Sequence, residues 1–235
     1  MKFGLQSLRQ FCKTAAEAGT AVVLNGAKTD VKGVYFHASF SDVAMKTAVL
    51  QSMTVHADFL TTAEEAALVE EVSPRLKRMV YETEHWDAVI HAFKETEWPE
   101  WRNKANLAVI DKVRKTAFLG SKSRVVNSVH VLELRRDGFI QPHVDSVRFC
   151  GETVAGLCCL SASVMRFRHE LRPELVVDFL LPQRSLYVMQ GVSRYEFTHE
   201  ILKETESRLG DEYVPRDRRI AIICREPPQP EAATE

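Results

Sequence analysis

No CxxC pair and no regularly spaced cysteine framework occurs in this chain; its five cysteines, Cys12, Cys150, Cys158, Cys159 and Cys224, form an odd and unpatterned set. That argues against a disulfide scaffold or a zinc ribbon and fits reduced, buried thiols. No apolar run approaches the roughly 18 residues that cross a bilayer as a helix, so no membrane span is expected. An excess of one charge is missing too. Lys+Arg 31 against Asp+Glu 32 leaves a formal charge of -1, so no global basic field gathers nucleic acid, and only a local patch could. There is no internal repeat. What is present, 45% hydrophobic and 27% charged residues over 235 positions, is ordinary for a globular protein with one sizeable core.

Residues 1–56 read as a leader. Residues 1–20 carry Lys2, Arg9 and Lys13 against a single acid, Glu17, with Leu5, Leu8, Cys12 and Ala15 at helical spacing. A basic amphipathic segment of this kind suits a mitochondrial transit peptide, and equally a surface helix or a loose arm. The folded domain is expected over 57–226. Thr62 and Glu65 form a capping-box pattern ahead of an apolar stripe through Leu68, Val69, Val72 and Leu76, with Pro74 as a possible kink. A second helix is predicted over 86–93 and a third from Pro99 towards Gly120. From 124 onwards, short runs rich in Val, Ile, Leu, Phe and Tyr alternate with turn signals such as Arg136-Asp137-Gly138 and Pro182-Gln183-Arg184. About eight strands at this spacing predict a mainly β barrel or jelly roll with the N-terminal helices on its outside. Residues 227–235 form a proline-rich tail expected to be disordered.

Pro142-His143-Val144-Asp145 carries the chemistry. In a strand, residues i and i+2 share a face, so an imidazole and a carboxylate project together as two ligands of a 2-His-1-carboxylate metal site. His199, closing the run Arg194-Tyr195-Glu196-Phe197-Thr198-His199, is the candidate third ligand. His56-Ala57-Asp58 matches the same spacing but precedes a helix start and reads as incidental. In Arg219-Ile220-Ala221-Ile222-Ile223-Cys224-Arg225 the two arginines are six apart and share one face, opposite Ile220, Ile222 and Cys224. An inward arginine on an apolar strand calls for an anion, and the guanidinium fork suits a carboxylate.

His-x-Asp, a distant His and Arg-x5-Arg on the last strand together resemble the AlkB family of Fe(II)/2-oxoglutarate dioxygenases, most of all its mitochondrial animal branch. Supporting stretches are Tyr81-Glu82, His85-Trp86-Asp87, residues 91–97, Ser128-Val129-His130-Val131-Leu132, Phe149-Cys150-Gly151, Ser185-Leu186-Tyr187 and residues 194–202. The resemblance covers about 57–226. It implies a double-stranded β-helix, Fe(II) as metal, 2-oxoglutarate as cosubstrate and O2 as oxidant. It further implies that Arg219 binds the distal carboxylate of 2-oxoglutarate, with Arg225, Tyr187 and His130 lining the cosubstrate pocket, and it favours the transit-peptide reading and a matrix location. The chain departs from nucleobase-repairing members, which carry Asn and Thr where Ala221 and Ile223 stand, and Asn and Tyr where Leu132 and Leu134 stand. The expected activity is therefore oxidation, by hydroxylation or demethylation, of an RNA or a protein by a monomeric enzyme, with duplex DNA a poor substrate. The alternative is a non-catalytic iron-binding regulatory module.

Overall fold

The computed structural model describes residues 32–118 and 125–228. The transit-peptide-like segment 1–20 and the last residues of the tail lie outside them. One compact unit begins at Gly33.

That unit starts earlier than the sequence suggests. β1 (Val34–Phe36) pairs antiparallel with β8 (Val176–Leu181), and His37 Nε2 lies 2.9 Å from the buried Asp178 carboxylate. α1 (Val43–Ser52) is N-capped by Asp42, whose side chain accepts from Met45 N. It leads directly into β2 (Met53–His56), which pairs along its whole length with β9 (Ser185–Met189). Residues 34–56 thus belong to the folded unit, with β1 and β2 in its sheet, rather than to a leader, and the expected boundary at 57 is corrected to about 33. Strands of three and four residues carry too little alternation to register as a pattern.

α2 (Thr62–Lys77) opens with a capping box one residue earlier than expected, between Thr61 and Glu64. Glu65 is buried instead, accepting from Leu160 N at 2.7 Å and from Gln183 Nε2, which ties the helix to the sheet. Pro74 faces solvent and the helix runs through it. The helix expected over 86–93 is absent. In its place stand β3 (Glu82–Glu84) and β4 (Ile90–Trp98), joined by a turn that the Asp87 carboxylate closes on Val89 N. Val89, Ile90 and Phe93 suit either period, and cross-strand pairing decides the outcome. α3 (Lys104–Ala117) starts at its cap Asn103, not at Pro99.

β5 (Val129–His143) merges two expected strands. The Arg136-Asp137-Gly138 turn signal is realised as a bulge: between Phe93↔Leu134 and His91↔Phe139, β5 spends four residues where β4 spends one. Gly138 is required there, since a Cβ would stand 2.7 Å from Ala92 O. The remaining strands are β6 (Val154–Cys159), β7 (Ser163–His169), β10 (Phe197–Ile201), the small β11 (Arg208–Leu209) and β12 (Glu212–Tyr213) pair, and β13 (Arg219–Arg225). The run 194–199 is not wholly strand; its start belongs to the short helix α4 (Gly191–Tyr195).

β1 to β10 and β13 form one antiparallel sheet of eleven strands, curled across β5. One edge of β5 pairs with β13 over His130–Leu134 and then with β10 at Ile140 and His143. The two halves face each other: Leu132, Val154, Tyr187 and Ala221 of one half share an interior with Met165, Phe167, Phe179 and Ile201 of the other. Alternate residues, among them Val131, Leu157, Ile220 and Ile222, pack outward beneath Leu68 and Val72 of α2 and Ile110 of α3. This is the expected double-stranded β-helix with helices outside. Buried Glu133 accepts from Tyr81 Oη and Arg218 Nη2, each at 2.5 Å, and locks β5 to β13 and to the segment entering β3.

Candidate active site

His143 and His199 come together because β5 and β10 pair them as direct cross-strand partners. Their ring centroids are 4.3 Å apart. From His199 to Ile201 β10 advances two residues, while β5 advances three between Ile140 and His143. Pro142, with no N–H to give the ladder, sits in this irregularity. Asp145 lies just past the strand end, so simple alternation along β5 is not what aims it. Its Oδ1 is nevertheless 3.6 Å from His143 Nε2, and ligand atoms of His143, Asp145 and His199 all fall within 4.8 Å of one another. Among the described residues this is the one such cluster; His56 lies on β2 opposite Leu186, away from it.

The donor set suits a divalent cation such as Fe(II). His143 Nδ1 is engaged by the Gln141 carbonyl at 2.9 Å, which leaves Nε2 as the ligand nitrogen. Burial, together with the nearby charge of His143, pushes the pKa of His199 down to about 3, so this imidazole is neutral with its lone pair available. Burial alone would raise the Asp145 carboxyl; the hydrogen bond from His143, followed by the surrounding positive charge of His199, His143 and Arg225, outweighs it and holds it far below the usual carboxylate range. Two neutral-capable imidazoles and an ionised carboxylate make the facial set used by non-haem iron enzymes.

The triad opens on a cavity of about 730 Å³ that is also lined by His130, Tyr187, Arg219 and Arg225, so all seven expected site residues meet in one space. Ala221 and Ile223, between the two arginines, line it as well, which confirms the face assigned to β13. Arg219 is 2% exposed and, among the described residues, forms no ion pair; its Nε donates to Cys158 Sγ at 3.3 Å. A guanidinium buried in this way is costly unless an anion joins it. Arg225 donates to His130 Nδ1 at 2.8 Å, while its Nε is buried without a partner. Tyr187 is pushed by burial up to about 12, a permanently neutral phenol. Its ring lies directly on Gly156, where a Cβ would stand 2.6 Å from the Tyr187 hydroxyl.

Sequence reasoning missed three residues around this cavity. Glu95 bonds His130, and Cys158 receives Arg219. Arg194, fully buried in α4, donates to the carbonyls of Cys150 and Gly151. None carries a local signal: a lone Arg ahead of a strand and a Glu among exposed acids look like surface residues.

A facial metal set and a buried arginine inside a curled antiparallel sheet define a non-haem iron oxygenase of the double-stranded β-helix type. Residues 66–225 match the 2OG-Fe(II) oxygenase superfamily. The chain is 46% identical over 80% of its length to alpha-ketoglutarate-dependent dioxygenase alkB homolog 7, mitochondrial, from Bos taurus and from Mus musculus, spanning 85% of each. Its fold is similar to a Pseudomonas putida prolyl-4-hydroxylase, with TM-score 0.54 and 17% identity over 79% of this chain and 100% of that one. The protein therefore belongs to the 2OG-Fe(II) oxygenase superfamily, as a dioxygenase of the alkB homolog 7 type, and Fe(II), 2-oxoglutarate and O2 are its metal, cosubstrate and oxidant.

Adding a methyl group at Gly156 tests the floor beneath Tyr187. Gly156→Ala is expected to displace the ring, cost about 1–3 kcal/mol of stability by overpacking, and weaken 2-oxoglutarate binding several-fold. Thermal melting and a cosubstrate titration measure both; an unchanged affinity would show that Tyr187 does not shape the pocket.

Proposed function

We propose that His143, Asp145 and His199 hold the Fe(II), that Arg219 anchors the distal carboxylate of 2-oxoglutarate, and that the enzyme oxidises an RNA or a protein substrate in mitochondria. The observation that carries this reading is a buried arginine without a carboxylate partner in the same cavity as the metal-type triad. When bound, the iron supplies the centre at which 2-oxoglutarate and O2 react and a C–H bond of the substrate is oxidised. The chain's own part is positioning. The Gln141 carbonyl fixes the His143 tautomer, and Arg219 places the cosubstrate. Arg225, His130 and Tyr187 form its polar wall, while Leu132, Met165, Ile201, Ala221 and Ile223 keep the floor dry. If the oxidised carbon is an N-methyl group, the hydroxylated product collapses with loss of formaldehyde; otherwise the alcohol is the product.

Two observations favour a single-stranded RNA or a protein over duplex DNA. The chain has no net positive charge, and the hairpin at the cavity mouth carries Glu82, Glu84, Asp87 and Glu97, which repel phosphate. Extruding a base from a duplex also costs a few kcal/mol that a single strand or a side chain avoids. Exposed Trp86 and Phe149 line the mouth and offer contact area for either preferred substrate. The mitochondrial assignment rests on the names of the curated relatives, and the matrix on the transit-peptide character of the basic segment 1–20. No helix among the described residues is long and apolar enough to cross a membrane. A monomer is the working state.

Arg219→Ala is expected to retain the metal and to lose roughly 30-fold or more in 2-oxoglutarate affinity, the cost of removing a charged partner from a closed pocket. Calorimetric titration of the Mn(II)-loaded protein reads this, and equal affinity in the variant would place the anchor elsewhere. Turnover compared on N-methylated duplex DNA, single-stranded RNA and mitochondrial protein extract at one salt concentration is expected to be poorest on the duplex; efficient duplex repair would overturn the substrate reading.

A further inference from the structure

A chain of polar contacts runs from the cavity mouth to the cosubstrate wall. The Asp87 carboxylate meets His85 Nδ1 at 2.7 Å, His85 Nε2 lies 3.4 Å from Glu95 Oε1, and Glu95 Oε2 meets His130 Nε2 at 2.9 Å. His130 Nδ1 then meets Arg225 Nη2 at 2.8 Å. The last link settles the direction of the one before it. A guanidinium can only donate, so His130 Nδ1 must accept, and the His130 proton must sit on Nε2. That N–H needs an acceptor, and the Glu95 carboxylate is the one in reach. The hydrogen bond from His130 outweighs burial and holds Glu95 below the usual glutamate range, so it stays an anion.

Resting on the cosubstrate reading above, we propose that Glu95 is a positioning residue for 2-oxoglutarate. It acts through His130 to hold the Arg225 guanidinium against the cavity, as the acid of a Glu–His–Arg relay. The restraint is needed because a second cavity of about 350 Å³, reaching Val126 and Ser128, lies against the same His130 and Arg225 side chains. Without Glu95, His130 is free to take the other tautomer or to turn, and Arg225 can swing into that space. Glu95 Oε1 also lies 3.4 Å from His85 Nε2, next to Trp86 at the mouth, so the same carboxylate stands between the substrate side of the cavity and its cosubstrate side. The charge itself opposes this role, since a carboxylate near a bound dicarboxylate repels it. The relay therefore makes a claim with a definite sign: removing Glu95 weakens 2-oxoglutarate although it removes a negative charge.

The test is titration of 2-oxoglutarate into full-length Mn(II)-loaded wild type and variants under non-turnover conditions, with Mn(II) affinity measured alongside. Glu95→Ala is expected to lose roughly tenfold in 2-oxoglutarate affinity at unchanged Mn(II) affinity, the effect of one charge-assisted hydrogen bond. Glu95→Gln, whose side-chain carbonyl can still accept from His130, is expected to recover most of that loss. In the double variant Glu95→Ala/His130→Ala the loss should equal that of His130→Ala alone, because the two act in series; additive losses would mean Glu95 merely supports the fold and would overturn the relay. Tighter or unchanged binding in Glu95→Ala would also overturn it, showing a residue that only repels the cosubstrate or does not touch its grip. A wild type that binds Mn(II) but no 2-oxoglutarate would instead sink the cosubstrate reading itself, and the relay with it.

Discussion

The antiparallel register between β5 and β10 is the constraint on which the site depends. It makes two histidines 56 positions apart in the chain direct cross-strand neighbours. Side chains alternate along a strand, so a slip of one residue would turn His199 to the other face and leave His143 beside Thr198 or Glu200. The register is held from both sides. β10 also pairs residue by residue with β7 from Phe197 to Ile201, and β5 is clamped by β4 and β13 over its first half. The extra residue in β5 around Pro142 gives the local bend that lets the chain leave the strand and return Asp145 to the two imidazoles. The metal set is thus a by-product of how a long strand passes from one half of the sheet to the other.

The same sheet carries charge where a core designed for stability would not. Arg219 and Arg194 are almost wholly buried without an ionic partner among the described residues, and Arg225 has a buried, unpaired Nε. Carbonyls, a thiol and an imidazole accept from them but do not neutralise them. With Arg219 and Arg225 gripping the cosubstrate as proposed, their charges are unfavourable in the empty cavity and favourable once the dianion enters, so cosubstrate should stabilise the fold by mass action. Gly156 shows the same priority of function. It gives up side-chain packing in a central strand so that the hydroxyl end of the Tyr187 ring can approach the backbone.

Much of this was legible in the sequence where local pattern and tertiary structure agree. β13 and β9 occupy the expected residues, because their alternation or apolar run is unbroken and both faces are buried. The triad and the two arginines were recognisable as residue types at strand spacing. Strand alternation alone does not aim Asp145, since the strand ends at His143 and a bend supplies the final aim. The β3–β4 hairpin was hidden because Val89, Ile90 and Phe93 satisfy both periods and the deciding contact is with β5, about forty residues on. β1 and β2 were hidden by brevity, and their place is fixed by partners more than 120 residues away. Glu95 and Arg194 could not be found at all, because a long-range hydrogen bond leaves no periodic trace.

The central claim is that the β5–β10 pairing builds one metal site from His143, Asp145 and His199. X-ray absorption at the iron edge of the anaerobic Fe(II) protein tests it most directly, by counting imidazole ligands from their outer-shell scattering. The account expects two imidazoles in the wild type and in His56→Ala, and one in His199→Ala. Two imidazoles persisting in His199→Ala, or a loss of one in His56→Ala, would contradict it.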